Sequence, residues 1–591
     1  MRKHLTPTII LFVLSLLPFY WLRGGLFVAA AESGLYLYHS SRSFHQCLSL
    51  WWDKISLGFP MAKNLPSIPF HGAMALLDQA GISLHLKQII LYGAILFCSG
   101  VSMYFLVWIA VENTFKHRRI IALFSAFFYL FNSFVMINFW HRFTTFLLMI
   151  PFPPLILAIY IYGLKRRNNT AVYLLGGIFS LFSFTFSSPP SAASIFFAPF
   201  IYLIFFLFDN RTNRPSIYFA LKYSFYSFLS FLLVNIWWLL PYFKGAQQMY
   251  VQTGTQENNL MTLHSLSNFQ GLEYSLRLLR ADSMEIWGNT FPVGFIISTT
   301  LIPLIVFLPL LIQRNKSIIF FSLLSLIGLF FMKGTNGIFG KTFEMMFLHI
   351  PFFGIFRNPF EKLGIVTMLG FSVLFGVGLV TIYDKIIRPL GTVKAKLITS
   401  LLFCLICIVA VWPMWTGSIL KFKIWDRSTV VEIPEGYINS DHWLVKQKED
   451  FRIISYPITN YDGVACSWKD GYCGDNLEFL LLGNKPFIGR AITGSHSENF
   501  EKISQMLPAI TYRENALKKI APLLNVKYLL LHNDLDKKYI EALDLDTPEM
   551  IRQGINYYQN GFTLEKKFGD LEFYKINEKY FLPHIWAING N

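Results

Sequence analysis

Eleven runs of this sequence are apolar over lengths that suit a bilayer, and they limit the fold more than any other feature. They lie at approximately 5–23, 86–111, 119–138, 144–163, 171–187, 191–208, 217–240, 291–313, 317–332, 363–383 and 397–416, and a helix needs roughly 17–25 mostly apolar residues to cross the hydrocarbon core. The expected architecture is a polytopic α-helical membrane protein of about 11 spans. Charge supports this reading, since 15% of residues are charged against roughly 25% in soluble domains. The first run follows MRK, is long, ends in FYWLRGG and has no small-residue cleavage site after it, so it is expected to be retained as a span rather than removed as a signal peptide.

The net charge of +16 could point to nucleic acid, but its distribution gives another reason. Lys and Arg gather in KHRR (116–119), KRR (165–167), RTNR (211–214), RNK (314–316) and KIIRPLGTVKAK (385–396). Together with the N-terminus these fall on alternate sides of the runs, so the positive-inside rule puts all of them in the cytoplasm. The charge reports topology, no nucleic-acid partner is expected, and the chain reads as N-in and C-out in a cell membrane. The outer face then receives loops 24–85, 244–290 and 333–362, and everything after the last span.

Two domains follow: 1–416 as the multi-span domain and 417–591 as a soluble extracytoplasmic domain. In the second, FRIISYPI (451–458), VKYLLLHN (526–533) and the pair FTLEKKF/LEFYKI (562–576), joined by Gly-Asp, alternate as strands, and 499–507, 514–524 and 547–559 have helical spacing. An α/β or α+β fold is expected there. Of six cysteines, Cys466 and Cys473 lie in this outer domain, where an oxidising compartment would allow a loop disulfide. The irregular segment 337–364 reads as a re-entrant or interfacial helix pair bordering a site.

No phosphate-binding loop, dinucleotide fingerprint, nucleophile elbow or HExxH motif occurs. The Asp534-Leu-Asp536 and Asp544-Leu-Asp546 stretches read as helix caps. No metal site is read from the residues and no cofactor is assigned, and a divalent cation is left open. Candidate chemistry therefore falls on outer loops. Glu32, just beyond the first run, would gain proton affinity from partial desolvation at the membrane surface; it is either a general base or a solvated carboxylate. Around it His39, Trp52, Asp53 and His71 offer stacking and hydrogen-bonding groups for a substrate, although interfacial Trp also serves as an anchor. Arg357 and Lys362 in FRNPFEKLG are outer cations that break the positive-inside trend. They form either a phosphate clamp or partners for lipid headgroups and Glu361. His141 and Arg142, in the turn WHRF, are candidates for the same phosphate.

An acidic residue in the first outer loop, a Trp-x6-Gly stretch with Pro60, Pro66 and Pro69, Gly-Ile-Ser before the second span and the later FRNPFEK together resemble the large bacterial membrane glycosyltransferases of the GT-C class. They resemble especially the alpha-1,3-arabinofuranosyltransferase type and, more distantly, YfhO-type membrane proteins. LLNVKYLLL (523–531) is also similar to the outer domain of such proteins. The resemblance implies a GT-C-like fold that moves a sugar from a polyprenyl-phosphate-linked donor to an envelope glycan or glycolipid acceptor, for cell-wall biogenesis. It puts the base on Glu32 and the donor phosphate on Arg357 and Lys362. Here the stretch reads AAAES, where that family more usually has Asp after Gly, so the basic oxygen lies one C–C bond further out. The C-terminal domain would meet the acceptor through groups such as Trp468, Asp470 and Tyr472. Two other functions are weighed beside transfer. A flippase for a lipid-linked precursor would want paired charges inside spans and inverted repeats; an envelope scaffold would want neither.

Overall fold

A computed structural model of the chain describes residues 2–29, 34–52, 54, 58–111, 115, 117–140, 145–252, 256–282, 293–313, 315–421, 423–424, 427–459, 463–482, 485–490, 514–557 and 561–582. They form two compact units. One joins Met1–Gly25, His85–Leu240 and Gly254–Phe422; the other joins Leu26–Leu84, Pro241–Thr253 and Lys423–Asn591. The first long loop is thus grouped with the C-terminal unit, a division that differs from a single boundary near 417.

The first unit is helical. Among the described residues nine helices of the chain are long and apolar enough to cross a membrane, and two shorter apolar helices, Thr170–Leu181 and Lys316–Met332, coincide with two further runs. The helix Pro359–Thr381 is buried over almost its whole length, because LGFSVLFGVG presents small residues on several faces. A methyl group on Gly364 would strike the Phe134 ring, on Gly370 the Phe321 carbonyl, on Gly376 the Ile121 carbonyl and on Gly378 the Ile305 carbonyl. Three of these glycines therefore let neighbouring helices come to backbone distance, and Gly364 makes room for a ring; this is the packing that works in lipid, where apolar surface alone gives helices no reason to associate. The irregular segment 337–364 forms the helix Gly340–His349 and a 3-10 turn, Phe353–Phe356. Phe343 and Phe347 pack with Leu263 of the helix Gln256–Ser267.

The second unit is built on a mixed five-stranded sheet in the order Phe562–Phe568, Leu571–Ile576, Val526–His532, Arg452–Thr459, Phe487–Arg490. The first two pairings are antiparallel and the last two parallel. The expected strands appear within one or two residues, and the expected Gly-Asp turn is there, with Gly569 at φ 59°, a conformation that suits glycine. The central strand VKYLLLH is buried throughout, as a strand covered on both faces should be. Helices Glu514–Leu523 and Pro548–Tyr557 match two of the expected helices; the third, 499–507, lies outside the described residues. On one face Leu529, Leu531, Ile454, Ile551 and Ile555 form a core. On the other, Trp443 packs edge-on against Tyr528 and Phe573.

The loop 26–84 joins this unit through backbone pairing. Val28 bridges Val430 antiparallel, and Ala29 N donates to the Thr429 carbonyl at 3.1 Å. The helix Ser40–Cys47 then directs Arg42 at Asp441, with Nη2 3.1 and 3.0 Å from the two carboxylate oxygens. The charged hydrogen bonds are of the strong class, which explains how a polar loop can be held firmly.

Candidate functional site

The FRNPFEK motif forms the entry to the buried helix Pro359–Thr381. Asn358 is the N-cap and Pro359 the first helical residue, where a missing N–H is harmless and φ is preset. The Asn358 side chain donates to Glu361 Oε2 at 2.7 Å, which fixes that carboxylate inside the first turn. Lys362 Nζ stands 3.9 Å from Glu361 Oε1, and its carbonyl accepts from Ser194 Oγ at 2.5 Å. Arg357 is exposed, and its Nη1 donates to Asn259 Oδ1 at 3.0 Å. Two cations and one carboxylate thus stand at the positive end of a long helix, a setting that favours an anion.

Three further cations meet the same end of the unit. Arg280 lies about equally far from the rings of Phe269 and Phe360, 6.0 and 5.9 Å from their centroids, and its Nε donates to Asp282 at 2.9 Å. Since Phe360 belongs to the motif, this brings a cation to the turn that holds Lys362. Arg277 donates from Nη2 to Thr299 Oγ1 at 2.9 Å. Buried Lys333 donates to the Asn336 carbonyl at 2.7 Å, and the next residue, Gly334, is packed against Pro359. Sequence reading passed over Arg277, Arg280 and Lys333; the signal was present, because SLRLLRAD places two arginines on the expected outer side, as FRNPFEK does. His141 and Arg142 lie outside the described residues. Trp140, immediately before them, is buried between the rings of Trp21 and Tyr92, at 5.4 and 5.7 Å.

In the other unit Glu32 and Asp53 lie outside the described residues; of the remaining expected substrate groups Trp52 and His71 are buried and His39 is half-buried. Trp52 is buried, donates from Nε1 to the Gln46 carbonyl at 2.8 Å and packs on Phe479. His71 is buried against Tyr36 and Phe70, and burial pushes its pKa down to about 4, so it is neutral. His39 Nε2 stands 3.3 Å from Asp441. Burial raises the Asp441 carboxyl's proton affinity, but His39 and the Arg42 fork outweigh it and hold the pKa below the usual value. In this structure these residues join the loop to the fold. Trp468 and Tyr472 are likewise buried, stacked at 5.1 Å, whereas Asp470 is exposed. Cys466 and Cys473 stand on paired strands one register step apart and form no disulfide in this structure.

The Asp-Leu-Asp stretch divides its roles. Asp536 caps the helix Lys537–Ala542 by accepting from Tyr539 N, as expected. Asp534 instead enters the interior, accepting from Tyr437 Oη and Trp468 Nε1, both at 2.8 Å. His532 lies between Asp534 Oδ1, 3.3 Å from Nδ1, and Glu478 Oε1, 3.1 Å from Nε2, all three side chains being almost fully buried. Burial alone would lower the imidazole's pKa, yet the two carboxylates raise it; Asp534 moves the other way, burial being overcome by His532, Trp468 and Tyr437. Its enclosure makes this cluster a fastening of the fold. Among the described residues no group of three His, Cys, Asp or Glu side chains could hold a metal ion.

No family model matches the sequence, and no curated protein matches it. Solved structures do. Arabinofuranosyltransferase AftD from mycobacteria, determined by single-particle cryo-electron microscopy, superposes with a TM-score of 0.65 at 14% identity over 96% of this chain. A second structure of that enzyme gives 0.66 at 15% identity, again over 96%. The chain spans about two fifths of the length of AftD, 40% in the first case and 41% in the second. At this identity the likeness is one of fold, and it extends over nearly the whole chain.

Proposed function

We propose that this protein is a membrane glycosyltransferase of GT-C type, acting on the outer face of the cell membrane with about 11 spans and an N-in, C-out topology. The observation that carries the reading is the match of 96% of the chain to an arabinofuranosyltransferase fold. The donor is a polyprenyl-phosphate-linked sugar, arabinofuranose or another, and the acceptor is an envelope glycan or glycolipid. The cations of the FRNPFEK turn support the donor half of the reading, because a lipid phosphate is the anion such a turn suits.

In this reading the reaction is a single displacement. The acceptor hydroxyl oxygen forms a bond to the anomeric carbon while the bond from that carbon to the donor phosphate oxygen breaks. Glu32 takes the hydroxyl proton; Arg357 and Lys362, with Arg142 and His141, stabilise the charge left on the phosphate, usually the largest catalytic effect. The leaving phosphate needs no acid at neutral pH.

Native mass spectrometry of the protein purified in mild detergent tests the donor. A co-purified polyprenyl phosphate or its glycosylated form, lost from Arg357→Ala, is the expected result, and bulk phospholipid unchanged by the substitution would remove the clamp. Glu32→Gln then tests the base: it should retain the bound lipid and lose turnover.

A further inference from the structure

Beyond this reading, the helical unit holds a cavity with a cationic mouth that the transfer chemistry does not use. Its volume is about 300 Å³. It opens where five helix ends converge: the C-termini of Leu84–Ala110, Phe152–Arg166 and Pro189–Asp209 and the N-termini of Arg214–Gln252 and Lys316–Met332. These ends carry the Lys- and Arg-rich turns, so the cavity belongs to the positively charged end of the spans, the opposite end from FRNPFEK by the alternation of the runs.

Its polar mouth is cationic. Among the described residues Lys165, Arg167 and Lys316 line it, with Asp209 as the carboxylate. Lys165 Nζ donates to the Ala110 carbonyl at 2.9 Å and Arg167 Nη2 to Ser216 Oγ at 2.9 Å; these acceptors orient both cations at the mouth. Arg167 is held there by the backbone, since it closes its helix in the left-handed conformation at φ 51°. Lys316 pairs with Asp209 at 2.9 Å, but its side chain is 66% exposed, and exposed pairs of this kind hold weakly, so the ammonium can turn to a better anion. Asn315 caps the helix that Lys316 begins by accepting from Ser317 N; with three helix C-termini and two N-termini at the cavity the helix ends do not supply its positive charge, and the basic side chains do. The inner wall is apolar and aromatic: Phe205 packs on Phe320 at 5.4 Å, and Tyr202 meets the same ring edge-on at 4.9 Å.

We propose that this cavity binds the phosphate headgroup of an anionic lipid, with Lys165, Arg167 and Lys316 around the phosphate oxygens and the aromatic wall against the start of the acyl chains. A free phosphate shares the first half of this chemistry but has nothing to place on the wall; basic pockets between spans are a setting in which anionic lipids are recognised.

The test uses the full-length protein, delipidated in detergent and titrated with phosphatidylglycerol or with phosphatidylethanolamine, with retained adducts read by native mass spectrometry. Phosphatidylglycerol should bind more tightly, and Arg167→Ala should weaken it about tenfold, the loss of one charge-assisted hydrogen bond. Lys316→Glu, at an exposed position, reverses one charge with little risk to folding and should weaken it further. Equal retention of the two lipids, or phosphatidylglycerol binding unchanged in both variants, would overturn the site. Displacement of the lipid by millimolar inorganic phosphate, with phosphate binding itself lost in Arg167→Ala, would assign the cavity to a free anion and overturn the lipid assignment.

Discussion

Along the helix Pro359–Thr381 no charged side chain follows Lys362, and neighbouring helices reach its backbone through glycines. The central strand of the sheet, Val526–His532, ends instead on an imidazole held between two carboxylates. The packing along this helix is specified by shape, and the end of this strand partly by charge. The solvent explains the contrast. In lipid, apolar contact is available everywhere, so close approach decides which helices pair. In water, burial already drives collapse, and a satisfied polar cluster can select one arrangement from several apolar ones.

The contrast breaks most sharply at His532. Replacing it with Leu strands two buried carboxylates, and losing one partner of a buried ion pair costs about 3–5 kcal/mol. Hydrogen exchange in the full-length protein should show strand 526–532 opening more readily by that amount, with little change in the helix Pro359–Thr381. Exchange of that strand at the wild-type rate would show that the cluster does not hold the sheet. The smaller counterpart in the helical unit is Gly378→Ala, whose methyl group meets the Ile305 carbonyl; overpacking of this kind costs about 1–3 kcal/mol. Gly177→Ala is its control, because nothing lies within 4 Å of the added carbon. Thermal unfolding in detergent should separate the two variants clearly, and equal melting temperatures would end the argument from close approach.

Arg42→Ala comes next. It removes the fork on Asp441 but leaves His39 in place, so a loss of about 1–3 kcal/mol is expected from the charged bonds. Increased exchange in the helix Ser40–Cys47 would report it, and unchanged exchange there would show that the backbone bridge at Val28 suffices to hold the loop.

Local pattern made much of this fold legible. The apolar runs foretold most of the helices, and alternation in LEFYKI and VKYLLLH foretold strands to within one or two residues. Signals that depend on distant partners were hidden. Nothing near Trp52 or His71 announces Phe479 or the interior, and Arg42 meets Asp441 across 399 positions. A loop rich in Trp and His therefore reads as a binding surface until its partners are known. Arg280 was missed for a different reason. Its breach of the positive-inside pattern was visible, but its place beside Phe360 comes from the fold.

The subtlest difference is a pH profile for the second unit, in which two buried histidines act in opposite directions. The pKa of His71 is depressed to about 4, so folding holds it neutral, and stability is lost as pH falls below its unfolded value of about 6.5. The pKa of His532 is raised; its contribution is complete below about 6.5 and is lost as pH rises through the folded value. Asp534, whose pKa is lowered, keeps its contribution above its unfolded value of about 3.9 and loses it only in stronger acid. Stability of the unit should therefore peak near pH 6.5, each limb falling by no more than about 1.4 kcal/mol per pH unit for one proton. Hydrogen exchange corrected for intrinsic rates gives the profile. His71→Gln should flatten the acid limb and His532→Gln the alkaline one. If both variants kept both limbs, charge would not distinguish the interior of the sheet unit from that of the helical unit, and the opening contrast would reduce to the difference between lipid and water.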